Sequence, residues 1–196
     1  MKALALVVSA RKKGNCYDFA RFVLDRLEAT GIETELVNFY DYRIKPCQHC
    51  AYECLQRVDP QKGVDAPCPI DDDVRAIWEK TWAADILFLF VPTYGGLPPA
   101  LWIAFSQRSQ PFFREAPVEK LKKSVVSAVV LAAPHCSIGA QWTPSIMSDE
   151  VKGMGREVAG FEVINNAGFE TGNSFGGLIN EKEIQRRLEF LADRTL

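Results

Sequence analysis

Residues 1–9, 86–91 and 125–132 are three runs of almost wholly apolar, β-prone side chains, carried by Leu4, Leu6, Val7 and Val8, by Ile86 to Val91, and by Val125 to Ala132. A strand with one face in water alternates polar and apolar residues, whereas continuous runs like these suit strands covered on both faces. That requirement selects a parallel sheet between two layers of helix. The segments between the runs have the matching periodicity. Asn15 starts a helix, with Asp18 three positions later near its positive end. Phe19, Phe22, Val23 and Leu27 keep helical spacing, and Gly31 stops it. Val74, Ile77, Trp78, Thr81 and Trp82 form one face of a second helix. Pro98 and Pro99 open a third, continued by Leu101, Ala104 and Phe105. Residues 32–39 alternate and suit a more exposed strand, residues 148–158 read as helix, and residues 161–167 as strand. Residues 181–194 form a last helix with Ile184, Leu188 and Leu191 inward. The expectation is a five-stranded α/β domain spanning residues 1–196, with one irregular excursion at about 40–71.

At 196 residues, such a domain has enough length to bury a full core. Lys and Arg number 23 against 25 Asp and Glu, a net charge of −2, which argues against a dedicated nucleic-acid binder with its basic surface. No apolar stretch approaches the roughly 18 residues of a membrane span. Residues 3–10 resemble the core of an export signal but are too short and run into Arg11-Lys12-Lys13, so a buried first strand explains them better. The expected setting is soluble and cytoplasmic, with no membrane partner.

The excursion carries Pro46, Pro60, Pro67 and Pro69 and four cysteines within 22 positions, Cys47-x2-Cys50-x3-Cys54-x13-Cys68. An irregular connection of this length inside a compact domain is usually functional or held by something other than a core. Four thiols with one short Cys-x-x-Cys are enough for a [4Fe–4S] cluster or a tetrahedral zinc. Unliganded thiols or a disulfide are the alternatives, and Tyr52, Leu55 and Val58 could simply pack the segment as a helical turn. His49 and His135 are too few for a histidine-rich metal site.

In a sheet of this kind ligands sit beyond the carboxyl ends of the strands. The loop after the first strand, Ser9-Ala10-Arg11-Lys12-Lys13-Gly14-Asn15-Cys16, supplies a hydroxyl, a permanent cation, a glycine and the amides of a helix N-terminus. All of these attract phosphate. It has neither the P-loop pattern nor the dinucleotide glycine spacing. After the third strand, Pro92-Thr93-Tyr94-Gly95-Gly96-Leu97-Pro98 sets an aromatic ring and two glycines beside the same crevice, as a planar heteroaromatic ligand requires.

These motifs, in this order, resemble the NAD(P)H-dependent FMN reductase and iron–sulfur flavoprotein branch of the flavodoxin-like superfamily. Ser9, Arg11, Gly14 and Asn15 match its opening loop, and Pro92, Tyr94 and Gly96 match its loop at the flavin ring. Cys68 with Asp72 and its neighbours Asp71 and Asp73 matches the Cys-x-x-x-Asp-Asp end of its cysteine-rich excursion. The match covers roughly residues 2–110. It implies a doubly wound parallel sheet of order 2-1-3-4-5, with the cysteine-rich insertion after strand 2. It also implies an FMN phosphate held by Ser9, Arg11, Gly14, Asn15 and Cys16, and an isoalloxazine ring bordered by Pro92, Thr93, Tyr94, Gly95, Gly96 and Leu97. A third flavin loop is placed at Pro134, His135, Ser137 and Gly139; His135 and Cys136 either touch the flavin or only shape that loop. Cys16 stands where the family has Thr or Ser, and a thiol is a weak donor. Cys47, Cys50, Cys54 and Cys68 are the implied cluster ligands, although their gaps are wider than the family's compact run.

The resemblance therefore implies a redox protein passing electrons between a [4Fe–4S] cluster, FMN and a small-molecule or protein donor or acceptor. NAD(P)H is the possible reductant, and a homodimer or homotetramer the expected assembly. The alternative is a cluster-free NAD(P)H-dependent FMN or quinone reductase. No side chain has a convincing acid–base or nucleophilic role. Trp102, Arg108, Phe112 and Phe113 are read as helix packing rather than as edges of the site.

Overall fold

The computed structural model describes residues 1–48, 50, 54, 68–109, 111, 125–132, 139–153, 156–165, 169 and 175–196, and gives the backbone alone for 125–132, 139–141 and 153. Five parallel strands form one sheet: β1 (Lys2–Val7), β2 (Glu33–Asn38), β3 (Ile86–Pro92), β4 (Val125–Ala132) and β5 (Glu157–Asn165). Their spatial order is β2-β1-β3-β4-β5. The described helices are α1 (Asn15–Glu28), α2 (Val74–Ala83), α3 (Ala100–Ser106), α4 (Gly139–Gly153) and α5 (Lys182–Asp193).

The period-2 geometry of a strand divides the apolar runs between two cores. Ala3, Ala5, Val7, Ile86, Phe88 and Phe90 point to the side covered by α1 and α5, where they meet Phe19, Val23, Leu27, Ile184 and Leu188. Leu4, Leu6, Val8, Leu87, Leu89 and Val91 point to the other side. There the ring of Trp78 stacks on Phe105 at 4.4 Å, and Phe39 meets Phe105 edge-on at 5.2 Å. Every residue of β3 is buried, which is why that segment can carry no polar alternation.

Two boundaries differ from the periodicity reading. The fourth helix begins at Gly139 and ends at Gly153, and β5 starts at Glu157 rather than 161. Pro144 lies in the second turn of α4, where a proline in the sequence reads as a break. Val158 therefore belongs to a strand. Trp102 is buried in the second core, so its packing role holds. Phe112, Phe113, Cys136, Tyr52, Val58 and most of the excursion lie outside the described residues.

The chain leaves β1 toward β2 on one side, and leaves β3 toward β4 and β5 on the other. The loops after β1 and β3 consequently face one another across the reversal point at the carboxyl edge of the sheet. Register places Val7 beside Phe90, and the amide of Val8 donates to the Phe90 carbonyl at 3.0 Å. The two loops thus start side by side.

Candidate functional site

Ser9 closes the first loop on itself and meets the second. Its Oγ accepts the Arg11 amide at 3.1 Å and lies 3.4 Å from the Tyr94 hydroxyl. The Tyr94 hydroxyl also accepts the Ala10 amide at 3.2 Å. One phenol therefore joins the loop after β3 to the loop after β1. Tyr94 can reach because its own loop is a two-residue hairpin turn: Tyr94 and Leu97 exchange backbone hydrogen bonds at 2.9 and 3.2 Å. Gly95 and Gly96 between them have φ of 59° and 84°. Two successive left-handed residues make a type I′ turn, and glycine accepts both without steric cost. Buried Thr143 on α4 donates its hydroxyl to the Gly96 carbonyl at 3.3 Å and fixes the turn from behind.

The first loop is braced from both flanks. Buried Asn38, the last residue of β2, donates its amide to the Lys12 carbonyl at 2.8 Å and accepts from the Tyr40 amide at 3.2 Å. Lys12 pairs with Asp41 at 3.5 Å. On the other flank, the Leu178 amide donates to Oδ1 of Asn15 at 3.2 Å, and Asn15 is 0% exposed. Its carboxamide oxygen is therefore a structural brace. Gly14 has φ 138°, and a Cβ there would lie 2.9 Å from the Phe175 carbonyl oxygen, so no larger residue fits this crossing. The Arg11 guanidinium lies over the Phe175 ring, 5.3 Å from its centre. Burial pushes the Cys16 thiol up to about 12, against a smaller opposing pull from Arg11. Cys16 is therefore a neutral thiol packed in the first core, and at the helix start only its backbone faces the loop's chemistry.

One polar atom in this crevice is left over among the described residues. Thr93 is 6% exposed, and its Oγ1 has no hydrogen-bond partner among them. A buried hydroxyl left unpaired costs about 1–3 kcal/mol, and this one stands at the carboxyl end of β3 beside the Tyr94 turn. The residues fit a planar, polar-edged, phosphate-bearing group: a hydroxyl and a cation on the first loop, a helix N-terminus, and an unsatisfied hydroxyl beside an exposed aromatic. On the outer side of the Tyr94 turn lies a groove of about 540 Å³ lined by Pro46, Tyr94, Leu97, Pro98, Ile103 and Gln107. Of the third expected loop, Pro134, His135 and Ser137 lie outside the described residues; Gly139 is the first residue of α4.

The cysteine segment enters and leaves through a polar clasp that the sequence reading missed. The Arg43 amide donates to Oδ2 of Asp73 at 2.6 Å, and the Asp73 amide returns a bond to the Arg43 carbonyl at 3.0 Å. The Lys45 amide donates to Oδ2 of Asp72 at 2.8 Å, and its Nζ to the Asp71 carbonyl at 2.9 Å. Arg108, just beyond α3, pairs with Asp72; the two side chains are 2% and 0% exposed. Arg108 therefore belongs to neither a packed helix face nor the flavin edge. Its one signal in the sequence is a cation closing an otherwise apolar helix, which does not name its partner. Cys47, Cys50, Cys54 and Cys68 are half-buried free thiols. Burial raises the Cys54 thiol, and Cys50, Cys68 and Cys47 add to the rise in that order, so Cys54 lies within electrostatic reach of the other three. Among the described residues, no three His, Cys, Asp or Glu side chains close on a common metal-binding point.

The parallel sheet and the crevice at its reversal point define a flavodoxin-like α/β protein. The sequence pattern of the NADPH-dependent FMN reductase family matches residues 1–140, and the chain belongs to that family. An iron–sulfur flavoprotein of Methanocaldococcus jannaschii is 32% identical over 111 residues, 57% of this chain and 53% of that protein. One from Methanosarcina thermophila is 32% identical over 109 residues, 56% and 52% of the two chains. The matched region thus spans about half the length of these relatives. The NAD(P)H:quinone oxidoreductase of Methanothermobacter marburgensis superposes with a TM-score of 0.63 at 18% identity, covering 99% of this chain and 93% of that one. That likeness shows the fold. No helix among the described residues is long and apolar enough to cross a membrane.

Proposed function

We propose that the chain is an FMN-binding oxidoreductase of the iron–sulfur flavoprotein type. The observation that carries the reading is the junction of Ser9, Ala10 and Tyr94 beside a Thr93 hydroxyl that has no partner among the described residues. Ser9, Arg11 and the backbone of Gly14 to Cys16 would hold the phosphate, and Pro92 to Leu97 would border the ring. FMN, when bound, supplies two-electron hydride acceptance and one-electron release. The chain's own part is to fix the ring between the two loops, offer the Thr93 hydroxyl to its polar edge, and keep Arg11 beside the phosphate. Cys47, Cys50, Cys54 and Cys68 would supply four thiolates to a [4Fe–4S] cluster, the donor set such a cluster requires. The groove beside Tyr94 would take a small-molecule or protein electron donor or acceptor, with NAD(P)H as a candidate reductant. Exposed Tyr94 and Leu97 at its rim suit a homodimer or homotetramer, and the proposed setting is soluble and cytoplasmic.

A second reading is a cluster-free NAD(P)H-dependent FMN or quinone reductase. It is favoured by the match of the NADPH-dependent FMN reductase family pattern over residues 1–140. The deciding measurement is the visible spectrum of anaerobically purified protein, with iron assayed on the same sample. Flavin bands over broad sulfur-to-iron absorption, with about four irons per chain, are expected. Flavin bands without iron select the second reading, and a colourless protein that takes up no FMN overturns both. Cys50→Ala is expected to lose iron and keep FMN; iron at the wild-type level in that variant removes Cys50 from the ligand set.

A further inference from the structure

We propose that Arg108 is a positioning residue for the cysteine segment: its buried guanidinium joins the two stems of the segment, sets Cys47 and Cys68 in place before any metal arrives, and ties both to the helix that follows the Tyr94 turn. This rests on the reading of the four cysteines as a metal-ligand set.

The contacts converge on one planar group. Nη1 of Arg108 donates to the Asp72 carboxylate and, at 3.2 Å, to the Lys45 carbonyl, while Nη2 donates to the Ile70 carbonyl at 3.4 Å. Asp72 in turn accepts from the Lys45 amide on the incoming stem and, at 3.2 Å, from the Val74 amide on the outgoing one. Lys45 stands two residues before Cys47, and Ile70 two residues after Cys68. Two residues of chain reach at most about 7 Å, so the clasp bounds where the first and last cysteines can lie. Arg108 itself follows α3, whose start at Ala100 adjoins the turn that carries Tyr94. The Cys stems and the crevice loop are thereby parts of one braced unit.

A buried ion pair is a poor choice for stability alone, because apolar residues of similar volume serve as well or better. Here the pair comes with a further cost, since Nε of Arg108 is buried without a hydrogen-bond partner among the described residues. What the guanidinium provides, and an apolar pair does not, is a rigid fork that reaches both stems.

The test compares the wild-type protein, Arg108→Lys, and the double variant Arg108→Met with Asp72→Leu, each loaded with FMN and freed of iron. Cobalt(II) titrated under reducing, anaerobic conditions reports thiolate ligation through its charge-transfer absorption. Amide hydrogen exchange at Lys45 and Asp73 reports the clasp without any metal, and thermal melting reports global stability. Both variants are expected to keep FMN, and the double variant, which lacks the Asp72 acceptor, to expose the Lys45 amide to exchange. The double variant is expected to melt near the wild type yet bind cobalt on the order of tenfold to a hundredfold more weakly. Arg108→Lys keeps the charge pair but not the fork, and is expected to fall between, so it decides the matter if the double variant does not fold. Wild-type cobalt affinity in a folded variant, or affinity that recovers whenever melting recovers, overturns the proposal. If the wild-type chain binds no cobalt, the ligand-set reading fails; the clasp is then judged by exchange at Lys45, and unchanged protection in the variants overturns it.

Discussion

The loop after β1 and the stems of the cysteine segment both leave the carboxyl edge of the sheet, and both are polar, yet they are held in opposite ways. The loop is braced mainly by uncharged groups: Ser9, Tyr94, the Asn38 amide against the Lys12 carbonyl, and Asn15 against the Leu178 amide. The stems are held by a charge pair removed from water, Arg108 with Asp72, and by the flanking carboxylates. Neutral bracing spends hydroxyls, carboxamides and backbone groups on holding the loop. Charged bracing is consumed inside the protein. Damage to the first region should therefore appear as weaker ligand binding, and removal of one partner alone from the second as lost structure.

The largest effect expected from this contrast is on the clasp. Asp72→Ala strands a buried guanidinium and should cost about 3–5 kcal/mol of folding stability by denaturant titration, while the folded fraction still takes up FMN. A cost below about 1 kcal/mol would erase the contrast, since that is the range of surface pairs. Arg11→Ala is the converse. Removing one charge-assisted bond should weaken FMN retention by about 1.5–3 kcal/mol, roughly tenfold to a hundredfold. Its stability should fall by no more than about 1 kcal/mol, the scale of its contact with the Phe175 ring. Unchanged FMN affinity would remove Arg11 from the phosphate site. Gly96→Ala places a Cβ on a residue with φ 84° and should cost about 1–2 kcal/mol. That loss is expected to be accompanied by weaker FMN binding, because the turn aims Tyr94; loss of stability alone would separate the turn from the site.

The smallest effect is a pH dependence. Burial raises the Glu150 carboxyl, against the hydrogen bonds it accepts from Trp102 and Ser106. A carboxyl raised in the folded state binds a proton there that the unfolded chain releases. Its contribution is complete below the ordinary carboxylate range and is lost as pH rises through the raised value. Glu150→Gln should therefore gain on the wild type as pH climbs from that range toward neutrality. Parallel stability curves for the two proteins would show that Glu150 does not titrate differently on folding.

The crevice was legible because its chemistry lies in short contiguous stretches at strand ends. Residues 9–16 and 92–98 announce a hydroxyl, a cation, two glycines and an aromatic, and the structure brings the two stretches within hydrogen-bond reach of each other. What stayed hidden depends on partners distant in sequence. Arg108 meets Asp72 across 36 positions, and Thr143 meets Gly96 across 47, and neither pair has a local pattern. The brace between the Asn15 carboxamide oxygen and the Leu178 amide was hidden for the same reason. The fourth helix was hidden differently: Pro144 reads as a breaker, and it is accommodated within the second turn.

The brace from Leu178 to Asn15 spans 163 positions of the chain, and Arg26 similarly grips Asp193 with two bonds of 2.8 Å across 167. Contacts of such separation are the slow ones to form, because the loop entropy must be overcome before they contribute. During synthesis the first loop emerges early, yet its inner flank waits for residues 178–193. A chain cut before Leu178 would carry all of the first loop without the surface that braces Asn15.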